Sequence, residues 1–167
     1  KIKKDKNVII LVGKTFGHLE QSCFLRENYK IFDGIPPDIN LLNEKNNGEN
    51  VLKLIQNKLI LSSHDVSDGG LILALCEMSI SSSYGAIIKK PQKLTNLFKY
   101  FFGEDQGRYL LEVEPSNITK VEKSLKDSNV YFENIGFTQK DYFEIEGELK
   151  INIKDLFKIN NEWYNKY

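Results

Sequence analysis

The chain has 167 residues, 41% of them hydrophobic, enough for a single compact domain (residues 1–167) to bury a core. Lys plus Arg and Asp plus Glu both number 23, so the formal charge is zero; this excludes steering by net charge and gives no basic surplus for nucleic acid. The apolar stretches fall short of the roughly 20 residues of a membrane span, and the basic start, "KIKKDKNVII", lacks a signal-peptide core, so no membrane association is expected.

"NVIILVG" is a short β-branched run stopped by Gly13 and reads as a buried strand over residues 7–13. "GHLEQSCFLREN" follows on helical spacing through Leu19, Cys23 and Leu25, with Gly17 marking the turn before it. The consecutive prolines of "DGIPPDIN" fix φ and remove backbone donors, so residues 33–40 form an extended loop. Leu41, Gly48, Leu52, Ile55 and Leu59 then recur along one face of an amphipathic helix, with Asn40 as its N-cap. A strand, a polar turn over residues 64–70 and a buried helix over residues 71–80 come next.

"YGAIIKK" reads as a strand. "LTNLFKYFFGEDQGRYLLEV" reads as a short helix, a polar turn bounded by Gly103 and Gly107, and a strand over residues 109–113. Ser116 is expected to cap a helix that turns Ile118, Val121 and Leu125 inward, and "NVYFENIGF" returns as a strand. A hairpin around Gly147 and a helix carrying Leu156, Phe157, Ile159 and Trp163 finish the chain. This order predicts an α/β (α+β) sandwich in which helices pack on a mixed sheet. The two cysteines, Cys23 and Cys76, sit in apolar helical patterns, which fits a reducing, cytoplasmic compartment. The chain also begins without Met almost directly on a strand, and the expectation is a piece of something longer.

Two clusters could carry chemistry. In the first, His64, Asp65, Ser67, Asp68, Gly69 and Gly70 link a strand to a helix, and a helix start exposes backbone N–H groups at the positive end of its dipole. That end can hold a phosphate or carboxylate; alternatively Ser67 or Asp68 simply caps the helix. In the second, Glu104 and Asp105 could orient hydroxyls, Gln106 can donate and accept, and Arg108 offers a planar fork for an anion; the alternative is a solvated turn. "GKTFGH" lacks the spacing of a P-loop, although Lys14 and Thr15 could meet an anion. Two histidines in the whole chain and a helix N-terminus argue against a metal site, and Cys76, central in a buried apolar helix, reads as packing and not as a nucleophile.

"SSHDVSDGGLILALCEM" resembles the C-terminal domain of the aminoimidazole ribonucleotide synthetase superfamily. Together with "GKTFGHLEQSCFLRE", "PPDINLLNEKNNGENVLKLI", "FFGEDQGRYLLEV", "NIGF" and a terminal "WYNKY", in that order, it is most similar to the final domain of the synthetase subunit in the phosphoribosylformylglycinamidine synthase family. The selenophosphate synthetase and thiamine monophosphate kinase branches are the nearest alternatives, and a stand-alone binding module is a third. The resemblance implies a parent enzyme of purine (IMP) biosynthesis, an ATP-dependent C–N ligase using Mg²⁺. Formylglycinamide ribonucleotide, ammonia and ATP would give the amidine through an iminophosphate. It also implies as partners the preceding synthetase domains and a glutaminase subunit or domain that supplies ammonia. The ATP, Mg²⁺ and catalytic residues would lie mostly in those preceding domains, so this chain alone would be inactive and hold no cofactor tightly. By the same resemblance Glu104, Gln106 and Arg108 are candidates to face the ribonucleotide or nucleotide, with Asp105 standing where the equivalent turn usually carries Ser. The turn at residues 64–70 would line an interdomain cleft shared with them.

Overall fold

The computed structural model describes residues 1–91 and 96–162. Its centre is strand β1 (Val8–Val12), five aliphatic residues that are all buried, as expected for a strand covered on both faces. Around it are β2 (Ser62–Val66), β3 (Tyr84–Ile88), β4 (Arg108–Val113), β5 (Phe132–Lys140), β6 (Tyr142–Ile145) and β7 (Leu149–Asn152), in the order β2-β4-β1-β5-β3-β6-β7. Neighbours are antiparallel except β3 and β6, so the sheet is mixed as predicted.

Side chains alternate across β1. Ile9 and Leu11 face helices α3 (Gly70–Ile80), α4 (Leu97–Phe102) and α6 (Ile153–Glu162), where Leu71, Leu75, Phe101 and Ile153 complete one core. Val8, Ile10 and Val12 face α2 (Leu41–Gln56) and α5 (Ile118–Asp127) through Val51, Leu54, Val121 and Leu125. Leu71 and Leu75 are wholly buried, each contributing roughly 1.5–3 kcal/mol.

Four expectations are corrected. Helix α1 is only Cys23–Tyr29, because Gln21 takes a left-handed φ of 58° and the Ser22 hydroxyl, accepting from the Leu25 amide, fixes the true start; Gly17 and Leu19 lie outside it. In α2 the Asn40 cap is present, but Leu41, Leu52 and Ile55 are 74%, 52% and 48% exposed, and the inward face is Asn47, Asn50, Val51 and Leu54. Ser116 lies in a 3-10 turn (Pro115–Asn117) and caps nothing; Asn117 precedes α5 without a side-chain cap. In α6, Phe157 and Ile159 are exposed, and Trp163 lies outside the described residues. Among the described residues no helix is long and apolar enough to cross a membrane.

Strand directions bring the ends of β1, β2 and β3 and the starts of β4 and β5 to one rim of the sheet. Both clusters singled out in the sequence sit there. On the opposite rim the buried Glu112 carboxylate accepts from the Lys3 and Lys4 amides, the Asn7 side chain and the Ser62 hydroxyl, pinning the start of the chain.

Candidate functional site

The first cluster divides between strand and turn. His64 and Asp65 belong to β2, which among the described residues is an edge strand paired with β4, and the turn proper is residues 67–69. His64 Nδ1 donates to its neighbour's carbonyl, Asp65 O, at 2.6 Å, and Nε2 lies 3.4 Å from Glu77 of α3. Asp65, Ser67 and Asp68 are exposed on the rim, whereas Gly69 and Gly70 are buried beneath it. Neither Ser67 nor Asp68 caps α3: the N-cap is Gly69, left-handed at φ 77°. Gly70, at φ 69°, meets the backbone of residues 101–103 so closely that an added Cβ would stand 2.6 Å from Gly103 O.

Two of the amides expected to be free at this helix start, those of Gly69 and Gly70, are occupied. Glu104 Oε1 accepts from Gly69 N at 2.8 Å and from Cys23 N at 2.7 Å, so one carboxylate serves the starts of both α3 and α1, while Gly70 N bonds Ser67 O. The chain has supplied its own anion where a ligand phosphate was expected, from a loop about 35 residues away in sequence. Asp105 does the same for the loop after β1, taking the amides of Phe16, Gly17 and His18 at 3.0–3.2 Å.

Arg108 starts β4 and is 1% exposed. Its guanidinium donates to Gly103 O at 2.5 Å, to Thr15 Oγ1 at 3.1 Å and to Asp105 O at 3.3 Å, with the Asp105 carboxylate 3.9 Å away. Burial lowers its pKa, opposed by the nearby Asp105. Its fork is therefore committed to the protein. Gln106 is the exposed member of the turn.

The two clusters nevertheless share a groove. A pocket of about 440 Å³ is lined by Asp65, Ser67, Asp68, Glu104, Gln106 and Glu44 among others. Glu20, Glu44, Asp65 and Asp68 put carboxylates on its wall, and the pKa of Tyr109 beside them is raised by burial and then by Glu44 and Asp65. Gln106 also opens onto a larger cleft of about 930 Å³ walled by Asn40, Asn43 and Asn47 at the start of α2, with Lys14 and His18 opposite. These amides were missed in the sequence, although Asn40, Asn43 and Asn47 fall at steps of three and four, one face of a helix. Carboxylates and amides here suit a ligand that brings hydroxyl or N–H donors. Cys76 is partly buried against the core, and its thiol is pushed up to about 12, first by burial and then by Glu77. Among the described residues no group of three or more His, Cys, Asp or Glu could hold a metal ion.

The family described as "AIR synthase related protein, C-terminal domain" matches residues 4–146. The phosphoribosylformylglycinamidine synthase subunit PurL of Pelagibacter ubique is 45% identical over 166 residues, covering 99% of this chain and 23% of that protein. The chain thus spans less than a quarter of the length of the curated relatives it matches. Among solved structures, Thermotoga maritima PurL complexed with FGAR superposes with a TM-score of 0.80 at 14% identity, covering 94% of this chain and 29% of that one. The same protein complexed with ATP gives 0.70 at 14% identity, over 94% and 26%. These structures share the mixed sheet and its helices, and with the family match running over most of its length, the chain belongs to the AIR synthase related protein family, as a C-terminal domain of that family.

Proposed function

We propose that the chain is the C-terminal domain of the synthetase subunit of a phosphoribosylformylglycinamidine synthase, one compact domain of a longer cytoplasmic enzyme. The observation that carries this reading is the 45% identity to a PurL subunit sustained over 99% of the chain. In this reading the parent is an ATP-dependent C–N ligase of purine biosynthesis. The amide oxygen of formylglycinamide ribonucleotide takes the γ-phosphoryl group of ATP, and ammonia from a glutaminase subunit or domain adds at that carbon and displaces phosphate. ATP and Mg²⁺ are held by the preceding domains. Among the described residues of this chain no group of three or more His, Cys, Asp or Glu would hold Mg²⁺.

The chain supplies one wall of the cleft. Asp65, Ser67, Asp68 and Gln106 face it and accept from donors on the ribonucleotide or nucleotide, while Glu104, Asp105 and Arg108 hold the turns that present them. His64, Gly69 and Gly70 fix how β2 passes into α3.

The test uses the full-length parent. Gln106→Ala and Asp68→Ala are expected to raise KM for the ribonucleotide about tenfold, roughly the loss of one hydrogen bond to a charged or polar partner, with the melting temperature unchanged. Deleting the domain is expected to abolish amidine formation, and the 167-residue chain alone is expected to form none. Amidine formation by the isolated chain, or unaltered kinetics in both variants, would overturn the reading.

A further inference from the structure

Residues 26–43 are exposed almost without a break, Pro37 alone being half-buried. Their middle, residues 30–40, joins α1 to α2 without regular structure, at roughly twice the usual length of such a connection, and loops of that length commonly carry function. Its side chains are not those of a solvated loop: Phe32, Ile35, Ile39, Leu41 and Leu42 are 63–81% exposed. The strip runs on along α2, where Leu41, Leu52 and Ile55, expected from the sequence to face the core, share one outward face. Their combined exposed surface exceeds the few hundred Å² that a soluble monomer leaves in one apolar patch and approaches the roughly 800 Å² that one partner gives to a standard interface.

The arm is nevertheless held in place. His18 Nε2 donates to Ile35 O at 2.8 Å, Gln21 Nε2 donates to Gly34 O at 2.7 Å, and Glu20 Oε2 accepts from Ile35 N at 2.7 Å. Gly34, at φ 140°, lies so close to Glu20 that an added Cβ would stand 2.7 Å from that side chain's own Cβ. Pro36 and Pro37 fix φ in the residues that follow. Polar ties on the backbone thus present apolar side chains outward in one conformation, which lowers the entropy lost on docking.

Its position points to the occupant. Pro37 lines both the groove at Gln106 and the larger cleft, and Asp38, Ile39 and Asn40 line the cleft as well, so the arm is their common lip. A body that closes over these grooves lies against the arm. The chain spans 23% of the Pelagibacter ubique PurL subunit, so more than three quarters of a protein of that length lies outside it. Lys30, Asp33 and Asp38 are the only charged residues between Tyr29 and Leu42, which suits an apolar contact and not a charge-steered one. We infer that the arm, residues 30–42, docks on an apolar face of a preceding domain of the same parent, with Phe32, Ile35 and Leu42 as its anchors. This rests on the reading of the chain as one domain of a PurL-type parent.

Hydrogen exchange of the full-length parent, read by mass spectrometry, tests the docking without reference to catalysis. The amides of Phe32, Gly34 and Ile39 have no acceptor among the described residues, so in an undocked arm they exchange at the rate of a synthetic peptide of residues 29–43. In the parent, exchange over the arm is expected to be at least tenfold slower than in that peptide. The triple variant Phe32→Ser, Ile35→Ser, Leu42→Ser is expected to return the arm to the peptide's rate while the buried Val51 and Leu54 of α2 stay protected, which separates undocking from unfolding. Exchange at the peptide's rate in the unsubstituted parent, or protection that survives the triple substitution, would overturn the proposal. So would protection that grows with parent concentration, which assigns the strip to a second copy, or that arises only on adding a glutaminase, which assigns it to that partner. An amidine assay on the same preparations keeps the two readings apart: protection without amidine formation upholds the docking and removes the ligase reading, and amidine formation without protection does the reverse.

Discussion

Asp105→Ala removes the acceptor of three backbone amides, those of Phe16, Gly17 and His18, and the counter-charge of a guanidinium that is 1% exposed. At the 3.9 Å separation of the charges, Coulomb attraction at an effective dielectric of about 20 is roughly 4 kcal/mol before desolvation is subtracted. Breaking a buried pair from one side typically costs about 3–5 kcal/mol, because the surviving charge stays buried. The carbonyls of Gly103 and Asp105 and the Thr15 hydroxyl still solvate Arg108, which keeps the loss toward the lower end, about 3 kcal/mol. Asp105→Asn retains one acceptor oxygen but places an NH₂ against amide donors, and about 2 kcal/mol is expected. Urea unfolding of the chain, monitored by circular dichroism, measures both, and hydrogen exchange at Phe16, Gly17 and His18 should accelerate in step. A loss below about 1 kcal/mol for Asp105→Ala, with unchanged exchange at those amides, would refute the assignment of Asp105 as the internal anion of this loop.

Three further outcomes follow from the same geometry. Glu104→Ala should cost about 2 kcal/mol and speed exchange at Cys23 and Gly69 together, since one oxygen serves both; protection lost at only one of them would contradict the shared contact. Gly70→Ala forces a Cβ into a left-handed position 2.6 Å from Gly103 O, and at least about 2 kcal/mol of stability should be lost in a thermal melt, with wild-type stability disproving the close approach. Native Cys76 should resist a thiol reagent that labels Cys23. Because the folded Cys76 thiol titrates at about 12 against an ordinary value of 9.0, stability should hold below pH 9 and fall as pH rises toward 12; a melting temperature that rises over that interval would show the sign to be wrong.

Much of the fold was legible because it is written in local pattern. The aliphatic run of β1, the Asn40 cap of α2, the glycines around α3 and the Gly147 hairpin each follow from short-range rules of burial, capping and positive φ. The inward face of α2 was not legible. Its leucines repeat at helical spacing, yet Asn47 turns inward because its amide donates to Gly107 O, and Asn46 donates to Ser128 O. Hydrophobic periodicity registers the apolar stripe but not carbonyl acceptors brought from 60 and 82 residues away.

The candidate site divides the same way. The residues themselves, with their carboxylates, amide and guanidinium, stand in the sequence, and so does the family to which their order belongs. Which of them meet solvent was decided by the tertiary structure alone. Arg108 is buried because its partners come from residues 15, 103 and 105, and Glu104 is turned to the protein because two helix starts converge on it. Gln106, between them, is left facing the groove. A polar side chain goes to whichever donor or acceptor the fold brings within about 3 Å, and no spacing along the chain records that distance.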